Sequence, residues 1–491
     1  MKRNRIIISL VLLLVPFMMG AQVLKGSYFM ENSVNRTKMN PAFAAGYDYF
    51  QIPVLGNLGL GVYSNLDLAT FLYPTEGGKT MTAFHPNVSV EQFSRALARH
   101  PYADAEFSTN LISFGFYTNR NSYWTFDLGM KVGLDTDLPH DLFTFLKKGT
   151  GMGSNSYNIA NINMYANASL YASLGYSHDL SYLLKGLRVG ARARFIAPVA
   201  YAGVNLENVR LTTSEEKWTI DTEGYLNVAM HGVQMPRVSG MSDMGDFFNQ
   251  VKFDPQALIS NGVLAGKGYS FDLGVSYELN IGSIFDGANI SAAFTDLGQI
   301  FYDPAAVNSY NTKGQFNWAG FQDVGMDTDF EGMPDEIMKD LEGLIALQDG
   351  KEGKLVTSSM PSFYVGAEMP IPYVKMMSVG LLYSARKSIS YTRHELTASY
   401  NLKPCNWFAL SANYSFLNTA KTLGLLIELT PKVGPALTIG TDYMFLELAE
   451  APFVPVLELL PTSFRFNINF GLAFNIGSKQ LKKSRKDVVK E

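Results

Sequence analysis

The chain has few of the devices that usually hold an exported protein together. Among 491 residues there is one cysteine, Cys405, so no internal disulfide can form. The formal charge is −4, or about −7 once Lys2, Arg3 and Arg5 are discounted. Such a balance offers no basic face to a nucleic acid. The six histidines (His85, His100, His140, His178, His231 and His394) have no metal-ligand spacing. HExxH, CxxC, P-loop and Gly-x-Ser-x-Gly patterns are also missing. These gaps point away from an enzyme and leave no residue set for a cofactor or a metal. After residue 21 no stretch reaches 18 uninterrupted apolar residues, which excludes a bundle of membrane helices. Yet the chain is too long for one ordinary soluble core.

Its start is easily read. Lys2, Arg3 and Arg5 precede an apolar core from Ile6 to Met19, and Gly20-Ala21 offers small residues ahead of Gln22. This is the pattern of a secretory signal peptide over residues 1–21, too short to span a bilayer. No cysteine follows the cleavage point, so lipidation there is not expected.

What the mature chain has in abundance is alternation. Trp124, Phe126, Leu128, Met130, Val132 and Leu134 interleave with Tyr123, Thr125, Asp127, Gly129, Lys131 and Gly133. Phe271, Leu273, Val275, Tyr277 and Leu279 interleave with Ser270, Asp272, Gly274, Ser276 and Glu278. From Ser463 to Ile476 a third run places Phe464, Phe466, Ile468, Phe470, Leu472 and Phe474 against Arg465, Asn467, Asn469 and Asn475. Each run is longer than a typical soluble strand and suits a tilted crossing of about 9 to 11 residues. Lipid forces every backbone group to pair, so such strands must close into a barrel. A soluble β-sandwich would also alternate, but it would not aim charges into its packed face.

Fourteen crossings are expected, near 48–65, 109–118, 122–134, 161–178, 187–203, 268–281, 288–298, 361–369, 376–385, 391–402, 406–416, 421–430, 435–447 and 463–476. Long insertions at 66–108, 135–160, 204–267 and 299–360 alternate with short turns, as outer loops and periplasmic turns do. Val209–Leu211 and Trp218–Ile220 read as a hairpin above the membrane; were it to span, the count would be 16. Helices are expected in the insertions, one opened by Pro334-Asp335-Glu336 with Ile337, Met338, Leu341, Leu344 and Ile345 on one face. A second follows a capping box at Ser89 and Gln92, and a third lies within Asp246–Ile259.

The segment YFMENSVNRTKMNPAFA at 28–44 fits neither strand nor helix. With NPA at 40–42, GYSFDLGVSYEL at 268–279, ISAAFTDLGQI at 290–300 and PSFYVGAEMP at 361–370, it gives the chain a family likeness. The sequence resembles the FadL-like outer-membrane barrels, the long-chain fatty acid transporter group that also includes PorV-type proteins of type IX secretion. Within that group it looks closest to a family of unknown function that shares the opening segment. The resemblance implies a hatch of residues 22–46, carrying Asn40, Pro41 and Ala42, inside a barrel of residues 47–477. Residues 478–491 would be a basic periplasmic tail. Asn32, Asn35, Arg36 and Lys38 suit a polar lumen.

By strand parity the candidate lumen-lining charges are Asp127, Lys131, Arg188, Arg192, Arg194, Asp272, Glu278 and Arg465. Either they form an ionic network that fills the barrel, or they guide an anionic or amphipathic ligand. Two functions follow for an outer-membrane protein of a Gram-negative cell. One is FadL-like uptake of a small hydrophobic or amphipathic molecule. The other is a non-conducting barrel that docks an outer-membrane protein or lipoprotein partner, as PorV-type relatives suggest. Outer-membrane lipid surrounds the barrel in both.

Overall fold

The computed structural model describes residues 24–477, apart from 75–79, 149–154, 160, 214–217, 237–249, 281, 283, 319–346, 351–352, 389–390, 418–420, 445–447, 451–458 and 462–464. The signal segment and the basic tail, and the helix expected at 334–345, lie outside the described residues.

Fourteen antiparallel strands close on themselves. The first, β1, is made of two pieces, Tyr49–Gln51 and Leu58–Ser64. Then come β2 (Ala103–Tyr117), β3 (Ser122–Asp137), β4 (Ile162–Asp179), β5 (Leu187–Thr213), β6 (Gly266–Glu278) and β7 (Asn289–Tyr302). The second half is β8 (Ser362–Ile371), β9 (Val374–Lys387), β10 (Thr392–Cys405), β11 (Phe408–Leu417), β12 (Lys421–Leu429), β13 (Gly434–Thr441) and β14 (Phe466–Asn475). Each strand pairs with its successor, and both pieces of β1 pair with β14 and with β2. The ring therefore has no free edge.

Burial along the strands is inverted relative to a water-soluble protein. On β14, Asn467, Asn469 and Asn475 are at most 1% exposed, while Ile468 and Phe474 are 38% and 48% exposed. On β6, Asp272 is fully buried between the exposed Phe271 and Leu273. Polar groups inside and apolar groups outside are stable only if the surroundings are apolar. This is a transmembrane barrel, with the register expected from the alternation. Among the described residues no helix is long and apolar enough to cross a membrane.

Several local expectations are revised. β2 begins at Ala103 rather than 109, so Asp104 and Glu106 belong to the wall and not to a loop. The expected hairpin exists, but it is the far half of β5 paired with strand Trp218–Ala229. Past Pro198 the partner of β5 changes from β6 to that strand, so the hairpin continues beyond the barrel and the count stays at 14. A strand that was not expected, Val307–Trp318, pairs with Trp218–Ala229 and widens this extension. The Ser89 hydroxyl accepts from the Gln92 amide at 3.0 Å and caps helix Val90–Ala96, as the capping box requires. In the 246–259 stretch, the described helix starts only at Pro255, where the Asp254 carboxylate accepts from the amides of Gln256 and Ala257.

Candidate functional site

The segment before β1 is neither strand nor fully irregular: a 3-10 turn spans Lys25–Phe29 and one helical turn spans Arg36–Met39. Most of its residues, though not Glu31 or Gly46, are buried by the inward faces of strands from all round the ring. The Lys25 ammonium meets Glu395 of β10, and the Lys25 amide donates to Asp442 just past β13 at 2.9 Å. Tyr28 shares a hydrogen bond with Ser291 of β7 at 3.0 Å. The Asn35 side-chain Nδ2 donates to the Asn469 side-chain oxygen of β14 at 3.4 Å, and Arg192 of β5 donates to the Thr37 carbonyl at 2.9 Å.

Asn40, Pro41 and Ala42 turn the chain against β5, β6 and β7. The Phe43 amide donates to the Asn40 carbonyl at 3.1 Å, and the Ala42 amide to the Asn40 side-chain oxygen at 2.9 Å. Pro41 occupies the position of this turn where its fixed φ fits and no amide is needed. The Asn40 amide group donates to the carbonyls of Val275 and Ala292, at 3.2 and 3.4 Å. Ser177 holds the Ala42 carbonyl at 2.6 Å. Close approach here depends on two glycines: a Cβ at Gly190 would overlap the Pro41 carbonyl, and one at Gly274 the Asn40 oxygen. The Tyr28 and Phe29 rings likewise lie over Gly366 and Gly380, where a Cβ would overlap them.

Beside the segment is a cavity of about 180 Å³. Lys38 and Met39 contribute part of its lining, so the segment forms part of the chamber. Asp127, Lys131, Arg192 and Arg194, four of the eight charges expected to line the lumen, reach it. Asp272 lies behind them with no exposed surface, 3.6 Å from Arg192 and 3.2 Å from Arg194. Arg194 also pairs with Asp296, which takes a positive φ of 58° on β7 and donates its amide to Asp272 at 2.7 Å. Asp127 is satisfied by neutral donors, Ser113 at 2.7 Å, Ser173 at 3.3 Å and Asn110 at 3.4 Å.

The other three sit elsewhere. Arg188 donates to Ser177 at 2.8 Å and faces Asp179 at 3.8 Å near the short-turn end. Glu278 has the inward parity but ends β6 exposed at the rim. Arg465 is buried and donates to the Ser64 carbonyl at 2.7 Å, tying β14 to β1. Residues not singled out beforehand complete the chamber: Asp104, Glu106, Asp135, Asp296, Arg386 and Arg393. Parity offered a signal for Arg393, since it shares the face of Glu395, Thr397, Ser399 and Asn401, which alternate with Leu396, Ala398 and Tyr400 on β10.

Burial pushes the Lys38 ammonium down to about 8, Asp127 opposing the shift and Arg192 and Arg194 adding to it. It donates to the Asn110 side-chain oxygen at 3.3 Å. Apolar lining comes from Met39, Ile196, Ile300 and Met360. The chamber is thus amphipathic. Among the described residues no group of three or more His, Cys, Asp or Glu could hold a metal ion.

A closed ring of membrane-length strands with a polar lumen defines an outer-membrane β-barrel protein. The chain belongs to a family of unknown function (DUF5723), whose model matches residues 41–442. No curated protein sequence matches it. Solved structures similar to it include the toluene transporter TodX of P. putida, 11% identical over 91% of this chain and 95% of that one, TM-score 0.36. The Ralstonia pickettii toluene transporter TbuX is 10% identical over 93% and 96%, with TM-score 0.36. The translocator domain of the autotransporter NalP from Neisseria meningitidis is 8% identical over 88% and 89%, with TM-score 0.31.

Proposed function

We propose that this protein is a plugged outer-membrane barrel that takes up a small amphipathic molecule. One observation carries the reading: the cavity is bounded in part by the N-terminal segment itself, through Lys38 and Met39. The segment takes no part in the sheet and is held by side-chain and turn contacts. It can therefore move without breaking a strand ladder, and moving it would open the chamber on one side. Ionic walls with apolar insets suit an amphipathic solute. A pure hydrocarbon would desolvate those charges and return nothing to them.

The test is uptake by intact cells of a medium-chain fatty acid such as octanoate, comparing the protein with Asn40→Ala/Pro41→Ala. Loosening the turn is expected to change the uptake rate at equal barrel abundance. Equal rates would sink the reading.

A docking role, with an outer-membrane protein or lipoprotein as partner, draws support from a different feature. The sheet extends past the barrel through the far half of β5, Trp218–Ala229, Val307–Trp318 and Leu347–Asp349. Affinity purification from mild detergent decides it, because a stoichiometric partner that survives Asn40→Ala/Pro41→Ala favours docking.

A further inference from the structure

Glu106 and Arg386 form an ion pair, although β2 and β9 stand seven places apart in a ring of fourteen. They come from opposite walls. Glu106 also holds Lys131 of β3 at 3.0 Å. Two residues nearer the long-loop end, Asp104 of β2 accepts from the Tyr391 hydroxyl and lies 3.8 Å from Arg393 of β10. Asp135 of β3 accepts from Ser388 at 3.4 Å. Rings reinforce the crossing: Tyr102 stacks on Tyr391 with centroids 4.8 Å apart, and the Arg393 guanidinium lies 4.3 Å from the centre of the Tyr63 ring.

Fourteen tilted strands spaced about 4.8 Å apart would make a round ring roughly 28 Å across. An arginine and a glutamate cannot bridge that width between them. The wall is therefore drawn inward here, at the start of β2 and β10 and the end of β9, which is the long-loop end. Asp104, Glu106, Asp135, Arg386 and Arg393 all line the same cavity that Lys38 and Met39 bound. Carboxylates come from β2 and β3, where Lys131 offsets one of them, and guanidinia from β9 and β10, so the narrowing has a mainly acidic side and a basic side.

We propose that this cross-barrel cluster is an outer constriction, distinct from the N-terminal segment, which controls entry to the cavity by the charge of the solute. It deepens the uptake reading but does not depend on the segment moving. The pairs close the gap, and a solute enters where its own charges replace theirs. Removing the guanidinium leaves a carboxylate-lined gap that favours cations. Removing the carboxylate does the reverse.

The experiment uses the full chain with Cys405→Ser and a reporter, Ser169→Cys, on the cavity wall. The reporter is modified by thiosulfonate reagents bearing either a trimethylammonium or a sulfonate group. With the pairs intact, modification is expected to be slow for both, and Glu106→Gln/Arg386→Gln should raise both rates at least tenfold. Arg386→Gln alone should favour the ammonium reagent, and Glu106→Gln alone the sulfonate. For variants that do not show heat-modifiable migration, raising KCl from 0.1 to 1 M on the unsubstituted pairs should accelerate both reagents. Fast labelling with the pairs intact would overturn the proposal, as would rates indifferent to substitution and to salt. None of these rates depends on octanoate uptake, so the uptake reading can fail without this one.

Discussion

Lys25 Nζ lies 2.5 Å from a Glu395 carboxylate oxygen and 2.5 Å from the Tyr443 hydroxyl, with both charged side chains at most 5% exposed. A buried ion pair adds little net stability, but losing one partner strands the other charge away from water. Glu395→Gln should therefore weaken docking of the N-terminal segment by about 3 to 5 kcal/mol. Limited proteolysis of the folded barrel reads this directly, as faster cleavage ahead of residue 47 with the strands intact. Lys25→Met/Glu395→Met should recover much of the loss. Unchanged proteolysis in Glu395→Gln would mean the pair does not hold the segment.

The two faces of β6 predict opposite rules for neighbouring positions. Phe271→Arg puts a charge into lipid at a cost of about 2 to 4 kcal/mol near the midplane. Asp272→Asn is not the mild change that inward parity alone suggests. Asp272 is fully buried between Arg192 and Arg194, so neutralising it takes the paired carboxylate from buried Arg192 and leaves Arg194 to Asp296, a loss of about 3 to 5 kcal/mol. Glu278→Gln, exposed at the rim, should stay within roughly 0.5 kcal/mol. Urea unfolding of the three variants in the same detergent ranks them.

Gly190 and Gly274 predict a steric eviction. Valine at either position pushes into the Asn40-Pro41 turn, an overpacking cost of about 1 to 3 kcal/mol. Both residues lie on strands whose ladders a valine suits, so the barrel should still show heat-modifiable migration. The segment should become protease-sensitive. A protected segment in both variants would contradict the observed contact.

How much of this was legible in the sequence varied with the physics involved. The barrel was, because lipid imposes a period of two that Phe466 to Asn475 displays without interruption. The strand count was only in part: turns such as 119–121 are too short to hide another crossing. The 204–267 insertion left 14 and 16 both open, because a hairpin above the membrane alternates like one that spans it. The cross-barrel cluster was not. Asp104 and Glu106 precede the clearly apolar part of β2 and read as loop, and alternation gives the face of a residue but never its partner on the far wall. Nor was the pairing of Lys25 with Glu395, 370 positions away. The glycines were visible as residues, but only the folded chain shows what lies over them.

Lys38 makes docking of the segment depend on pH, and the sign follows from its two environments. Docked, it lies beside Asp127, Arg192 and Arg194, and burial lowers its ammonium from about 10.5 to about 8. Released into water it regains the ordinary value. Between pH 8 and 10.5 the docked form thus holds fewer protons than the released form. Raising the pH through that window favours docking, by at most about tenfold per unit for one proton. Below pH 8 both forms are charged and the penalty is constant. Lys38→Met should dock more tightly than the unsubstituted protein below pH 8 and lose the dependence above it. The measurement is segment proteolysis from pH 7 to 10, corrected for the protease's own pH profile on an unfolded substrate. A rate that rises with pH in the unsubstituted protein, or an unaltered slope in Lys38→Met, would place the responsible group elsewhere.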